Sequence, residues 1–210
     1  MRFKKAETSE ELYDVYRLRY KVYCLERGYE AKEDHPFGIE TDEYDIFSLH
    51  ILAYVDEKAV GTARLILPNP FGLPVERFCN INIRDFCPDP DKTAEISRLA
   101  VSYDAVNNKN SCKKLVTMGL ITEIHTIIRQ LKINYVVSAM TKSLERMLST
   151  AGLCFKQAGA PVQYHGIRAP YFADIDEITE NLFCFNKKLY NLLDLSALRM
   201  NEYAPVVMER

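Results

Sequence analysis

Two periods divide the chain. Apolar residues recur every three to four positions at Leu12, Val15, Tyr16, Val22 and Tyr23, at Val116, Leu120, Ile124, Ile127, Ile128 and Leu131, and at Ile178, Leu182, Phe185 and Leu189. That is the spacing of one buried helix face. Residues 2–6, 47–55, 59–67, 93–102 and 133–140 are instead short runs of strand composition. Thr8-Ser-Glu-Glu11 reads as a capping box, which starts the first helix and runs it to about residue 24 or 26. Asp56-Glu-Lys58 is a turn, so 47–67 is a hairpin. The second long helix covers 110–132, and residues 141–151 form a shorter one stopped by Gly152. Further on, 154–157 and 162–167 are late strands, 168–174 is a loop, and Asp174-x-x-Glu177 caps one final helix. The order predicts one α/β domain spanning 1–210 around a mixed sheet.

One strand breaks its own pattern. Thr93–Ser102 is apolar on both faces through Ile96, Leu99 and Val101, as in a strand inside a sheet, yet it carries Glu95 and Arg98. Buried ions cost several kcal/mol unless paired. An offset of three sends the two side chains to opposite faces unless a β-bulge intervenes. Candidate partners lie earlier in the chain: Arg19 on the apolar face of the first helix, Asp42 and Asp45 before the hairpin, and Arg64 in the middle of an apolar strand.

Composition narrows the class without choosing a function. The 210 residues are 48% hydrophobic and 27% charged, with net charge −2, which suits a globular protein and argues against nucleic acid as the main partner. No apolar run approaches the ~20 residues that span a bilayer. The N-terminus has no apolar segment of a signal peptide, and a cytoplasmic location is expected. The six cysteines are scattered, with no zinc spacing, so reduced and mostly buried thiols are expected and no metal site. Residues 68–92 hold five prolines and are long enough to be a functional loop, with a short extended or helical piece at 74–80. Lys113 and Lys114 open the second long helix, where cations are disfavoured unless an anion joins them.

Taken together, Arg19 and Tyr23 on the first helix, Asp42-x-x-Asp45, Gly61-x-x-Arg64 and Glu95-x-Ser-Arg98 resemble the acyl-homoserine-lactone (autoinducer) synthases and their relatives, the N-acyl amino acid synthases and exosortase-associated acyltransferases. The resemblance is best in the first half of the chain. The segment Tyr164-His-Gly-Ile-Arg-Ala-Pro-Tyr171 is similar to the N-acyl amino acid and exosortase-associated branch. Autoinducer synthases usually carry a tryptophan after the first helix; this chain has none, and Tyr29 stands about there.

The resemblance implies a GNAT (N-acyltransferase) fold, a mixed and mostly antiparallel sheet flanked by helices. It implies transfer of a fatty acyl group from a thioester to a small amine such as an amino acid. The alternatives are lactone synthesis from S-adenosylmethionine and a non-catalytic module that binds an acyl chain or carrier. Glu95, Arg98 and Asp45 are then the candidate catalytic residues, with Glu95 the first choice of base. Arg19, Tyr23, Tyr29, Asp42, Arg64 and Ser97 are candidates for substrate contact, with Arg19 and Arg98 for an acceptor carboxylate. Arg64, Arg98, Asp42 and Asp45 could instead form a structural ion network. The glycine-rich pyrophosphate loop of CoA-dependent relatives is missing between Asp104 and Cys112. Acyl carrier protein is therefore the expected partner, its acyl-phosphopantetheine arm the co-substrate with no other cofactor, and Lys109, Lys113 and Lys114 its candidate contacts. The acylated product leaves room for contact with a membrane surface.

Overall fold

The computed structural model describes residues 1–103 and 110–199. Lys109, an expected carrier contact, lies outside them. Strand β1 (Arg2–Lys5) leads into helix α1 (Ser9–Tyr20), whose capping box is present in both directions between Thr8 and Glu11. A π-helical turn, Lys21–Glu26, continues α1 and places Val22, Tyr23 and Cys24 in the interior. β2 (Ser48–Val55) and β3 (Lys58–Ile66) form the expected hairpin. Asp56 and Glu57 turn it with φ of 47° and 60°, the twist that a two-residue hairpin turn requires. The proline-rich stretch holds a short helix, α2 (Pro74–Cys79), before β4 (Thr93–Val101). Then come α3 (Asn110–Gln130), β5 (Tyr135–Met140), α4 (Lys142–Thr150) and the two-residue strands β6 (Lys156–Gln157) and β7 (Val162–Gln163). β8 (Ile167–Asp174), α5 (Ile175–Phe185) and α6 (Lys187–Arg199) complete the described chain.

The sheet runs β1-β2-β3-β4-β5-β8-β6, with β7 paired to β8. Only β4 and β5 pair in parallel among the described strands, and only over Thr93–Glu95 against Tyr135–Val137. Beyond Glu95 the two strands part. The α3 side of the sheet holds the main core, where Val116, Leu120, Ile124 and Ile128 pack over Ile51, Ala63, Leu65 and Val101. On the other side, α1 covers Leu52, Tyr54 and Ala100, and α2 covers Ile66 and Val137.

Two sequence expectations are corrected. Residues 168–174 are not a loop: they belong to β8, which pairs with β5 from Tyr135↔Asp174 to Met140↔Ala169. Pro170 suggested a break, but it sits opposite Ala139, and its carbonyl accepts from Ala158 N at 2.9 Å. The preceding strand is correspondingly shorter, because His165 (φ 48°) and Gly166 (φ 92°) turn the chain between β7 and β8. The final helix is two helices. Asn186, at φ −142°, breaks it; its Nδ2 donates to Ala151 O at 2.8 Å and its Oδ1 accepts from Leu189 N. Phe185, assigned to the buried stripe, is therefore exposed. Of the free cysteines, Cys24, Cys79 and Cys87 are buried as expected, while Cys154 and Cys184 are exposed.

Close packing between α3 and β3 depends on a missing side chain. A Cβ on Gly61 would lie 2.6 Å from Val116 Cγ1 and 3.2 Å from Leu120 Cδ1, both fully buried. Gly61→Ala is expected to cost about 1–3 kcal/mol through overpacking, read as a lower midpoint in urea unfolding with an unchanged m-value.

Candidate active site

β4 carries the bulge that would let Glu95 and Arg98 share one site. Its register against β3 steps from Thr62↔Ala100 to Arg64↔Ser97, so β4 has one extra residue there. Arg98 takes the strain with φ 48°. Ser97 and Arg98 consequently turn toward the same face: Ser97 Oγ accepts from Arg64 Nε at 3.0 Å, and Arg98 reaches Glu40 and Asp42. Leu99 returns to the main core. The offset of three is thereby absorbed, and Glu95 and Arg98 line one cavity.

Behind that cavity three arginines meet three carboxylates. Arg19 Nε donates to Glu40, and its Nη1 donates to Asp45 at 2.6 Å. Arg64 Nη1 donates to Asp42 at 2.5 Å and to Asp45 at 2.6 Å. Arg98 donates from Nε and Nη2 to Glu40 Oε1 at 3.1 and 3.0 Å, and from Nη2 to Asp42 at 3.1 Å. The charges balance, as burial requires. Burial would raise the Glu40 carboxyl, but the Arg19 and Arg98 guanidiniums outweigh it and hold the pKa at about 2. Asp45 is likewise raised by burial and lowered further by Arg19 and Arg64, with a net fall.

Glu40 is not among the residues that the sequence pattern singles out. A signal existed: three arginines faced two aspartates in the matched motifs. Glu95, the other acid considered for Arg64, is bonded elsewhere. Its carboxylate accepts from Val75 N, at the start of α2, at 2.7 Å. It is 1% exposed. Burial raises its pKa to about 7, against the opposing pull of that N–H and of Arg64 and Arg98.

The cavity has a volume of about 960 Å³ and opens where β4 and β5 part. Of the expected site residues, Glu95, Ser97, Arg98, Tyr23, Tyr29, Lys113 and Lys114 line it. Arg19, Asp42, Asp45 and Arg64 do not; they form the ion cluster beneath Arg98. Arg19 is sealed from solvent at 0% exposure, so this arrangement gives it no reach to an acceptor carboxylate. The inner wall is apolar, from Met118 and Ile121 of α3 to Leu144, Met147 and Phe155. Tyr164 also lines it, stacked on Phe78 at 4.6 Å between ring centres, and burial pushes its hydroxyl to about 12. No cluster among the described residues could hold a metal ion. No described helix is long and apolar enough to cross a membrane.

The ion cluster should be visible in stability. Glu40→Gln leaves Arg19 with Asp45 and Arg98 with Asp42 but the buried cluster one negative charge short, and is expected to cost about 3–5 kcal/mol at pH 7 by urea unfolding. Because the folded pKa is depressed, the stabilisation is fully present above pH 4.5 and is lost as pH falls toward about 2. The variant should lack that acid-dependent component of stability.

Comparison with known proteins agrees with this geometry. The family model described as N-acyl amino acid synthase FeeM matches residues 14–173. An acyl-homoserine-lactone synthase of Vibrio anguillarum is 26% identical over 145 residues, covering 68% of this chain and 74% of that protein. FeeM itself, an N-acyl amino acid synthase from uncultured soil microbes, superposes with TM-score 0.68 at 18% identity, over 88% of this chain and 96% of its own. BjaI, a CoA-dependent acyl-homoserine-lactone synthase, was solved with MTA and gives TM-score 0.67 at 20% identity, over 90% and 92%. The fold is the GNAT-like one expected from the motifs. The family match extends from within α1 to the end of β8, across the bulged strand and the parted pair, and the chain belongs to the N-acyl amino acid synthase FeeM family of acyltransferases.

Proposed function

We propose that this chain, acting as one domain over residues 1–210, transfers a fatty acyl group from the thioester of acyl carrier protein to the amine of an amino acid or a similar small amine. The observation that carries this reading is Glu95: a buried carboxyl with a pKa raised to about 7, facing a large cavity at the point where two strands separate. An ammonium must lose a proton to attack a thioester, and a carboxylate titrating near neutrality suits that task. The cavity's volume is at the upper end of the ~300–1,000 Å³ usual for small-molecule sites, with an apolar inner wall suited to an acyl chain.

In this reaction Glu95 takes a proton from the acceptor's ammonium, and the freed amine attacks the thioester carbon. The carbonyl oxygen becomes an oxyanion, for which β4 backbone N–H groups on its edge beyond Glu95 are the candidate donors. Collapse expels the phosphopantetheine thiolate, and the second proton lost from the attacking nitrogen passes to it, leaving a neutral amide and a free thiol. Arg98, fixed by Glu40 and Asp42, holds the bulged backbone in place. Asp45 acts through this cluster rather than on the substrate. Lys113 and Lys114, at the opening of α3, line the cavity and are the candidate contacts for the phosphate of the arm and the acidic carrier. The missing glycine-rich loop favours the carrier over CoA as donor. Lactone synthesis from S-adenosylmethionine is the second reading, favoured by the Vibrio anguillarum relative.

Purified protein incubated with long-chain acyl carrier protein and an amino-acid mixture should release N-acyl amino acids detectable by mass spectrometry. A lactone from S-adenosylmethionine with no amide from any amino acid would establish the second reading instead. Glu95→Gln is expected to lower kcat about 10²–10⁴-fold. In the wild type, kcat/KM should rise with pH through about 7 as Glu95 ionises; that limb should vanish in the variant. Lys113→Glu/Lys114→Glu should raise KM for acyl carrier protein and leave KM for the amine unchanged; equal or better use of acyl-CoA by the wild type would argue against the carrier.

A further inference from the structure

The cavity wall is one-sided in charge. Arg27, Arg98, Lys113, Lys114, Arg146 and Arg168 contribute cations, whereas Glu95 is its one carboxyl among the described residues. Most of these cations have an evident occupation. Arg98 is bound to Glu40 and Asp42. Arg27 and Lys113 sit over the Tyr103 ring at 4.4 and 4.3 Å. Arg146 is exposed. Arg168 differs from them all. It is half-buried in β8, its guanidinium lies 5.4 Å from the Tyr29 ring centre, and its Nε is buried without a hydrogen-bond partner. No carboxylate pairs with it among the described residues. A buried guanidinium N–H left unmade is costly, and the Arg168 side chain lines the cavity that an acceptor would enter.

Its position relative to Glu95 is also informative. Burial raises the Cys79 thiol to about 11, the Glu95 charge adds to the rise, and Arg168 opposes it. Both charges therefore lie near one buried thiol. An amino acid offers an amine and a carboxylate on adjacent carbons. Glu95 and Arg168, an anion and a cation that line one cavity, are complementary to those two groups.

We propose that Arg168 selects an amino acid over a plain amine by binding the α-carboxylate of the acceptor while Glu95 receives its amine. This assignment rests on the amine-acylating reading above and adds the carboxylate as a required feature of the substrate. It gives a role to the turn between β7 and β8, which brings Arg168 beside Tyr29. A guanidinium matches a carboxylate through two parallel N–H donors, which a lysine cannot reproduce.

The test compares the amino acid acylated best by the wild type with its decarboxylated amine, using the same acyl donor. Wild type should strongly prefer the amino acid. Arg168→Gln should raise KM for the amino acid by about 10- to 100-fold, the loss of one charged hydrogen-bonded contact. It should leave kcat/KM for the amine within about twofold, with Arg168→Lys intermediate. Circular dichroism and thermal melts check that the variants fold. Equal use of amine and amino acid by the wild type would overturn the assignment, with no variant needed. So would parallel loss toward both substrates in Arg168→Gln, which marks a structural role. Those outcomes leave amide synthesis intact; no amide from any amine at all would refute the amine-acylating reading itself, and the assignment with it.

Discussion

Among the described residues three guanidinium groups lie buried, and they can be there only because three carboxylates face them. Arg19, Arg64 and Arg98 come from α1, β3 and β4, while Glu40, Asp42 and Asp45 come from one short segment before β2. Each arginine shares a carboxylate with another: Glu40 bridges Arg19 and Arg98, and Asp45 bridges Arg19 and Arg64. Removing any one member leaves an opposite charge with no water to replace it. Such a cluster adds little net stability over an apolar core of the same volume. It fixes where α1, the loop and the two strands sit relative to one another.

That fixed frame holds a strained backbone. Arg98 is a non-glycine residue at positive φ, and positions of this kind persist when the surroundings over-determine them. Here the bonds to Glu40 and Asp42 do so. The bulge they secure turns two consecutive side chains to one face and shapes the β4 edge that leaves β5 after Glu95. Cluster, bulge and open edge are thus one construction. Glu95 stands at its end, outside the ion cluster, and its raised pKa has a thermodynamic cost. A carboxyl whose folded pKa exceeds its unfolded value stabilises fully below about pH 4.5 and loses that contribution as pH rises through about 7. The chain keeps a group that weakens the fold at neutral pH, which fits a group retained for chemistry.

The second half of the chain supplies the opposite wall. β5 and β8 pair along their length, and α3 and α4 close the apolar interior. The turn between β7 and β8 brings His165 and Arg168 against Glu30 and Tyr29 from the turn after α1. Residues about 135 apart in sequence therefore form one rim. The half of the chain with fewer recognisable motifs contributes Arg168, the side chain proposed to bind the acceptor's carboxylate.

Much was legible in the sequence because it depends on local periods. The capping box at Thr8, the β2–β3 hairpin, the long amphipathic α3 and the charged β4 strand follow from neighbours three or four residues away. Even the bulge was implied, since Glu95 and Arg98 could share a site only through one. Other features depended on contacts that local pattern does not encode. Pro170 resembled a chain break until β5 lay beside it, and Phe185 fitted a helical stripe that Asn186 interrupts. Glu40 resembled any solvated loop acid; its role exists only where Arg19 and Arg98, 79 positions apart by subtraction of their numbers, converge on it. The sequence by itself determined the elements and the kinds of charge that had to be paired. Tertiary structure decided which charges neutralise one another and which, like Glu95 and Arg168, are left facing the cavity, because pairing depends on three-dimensional distance and on the exclusion of water.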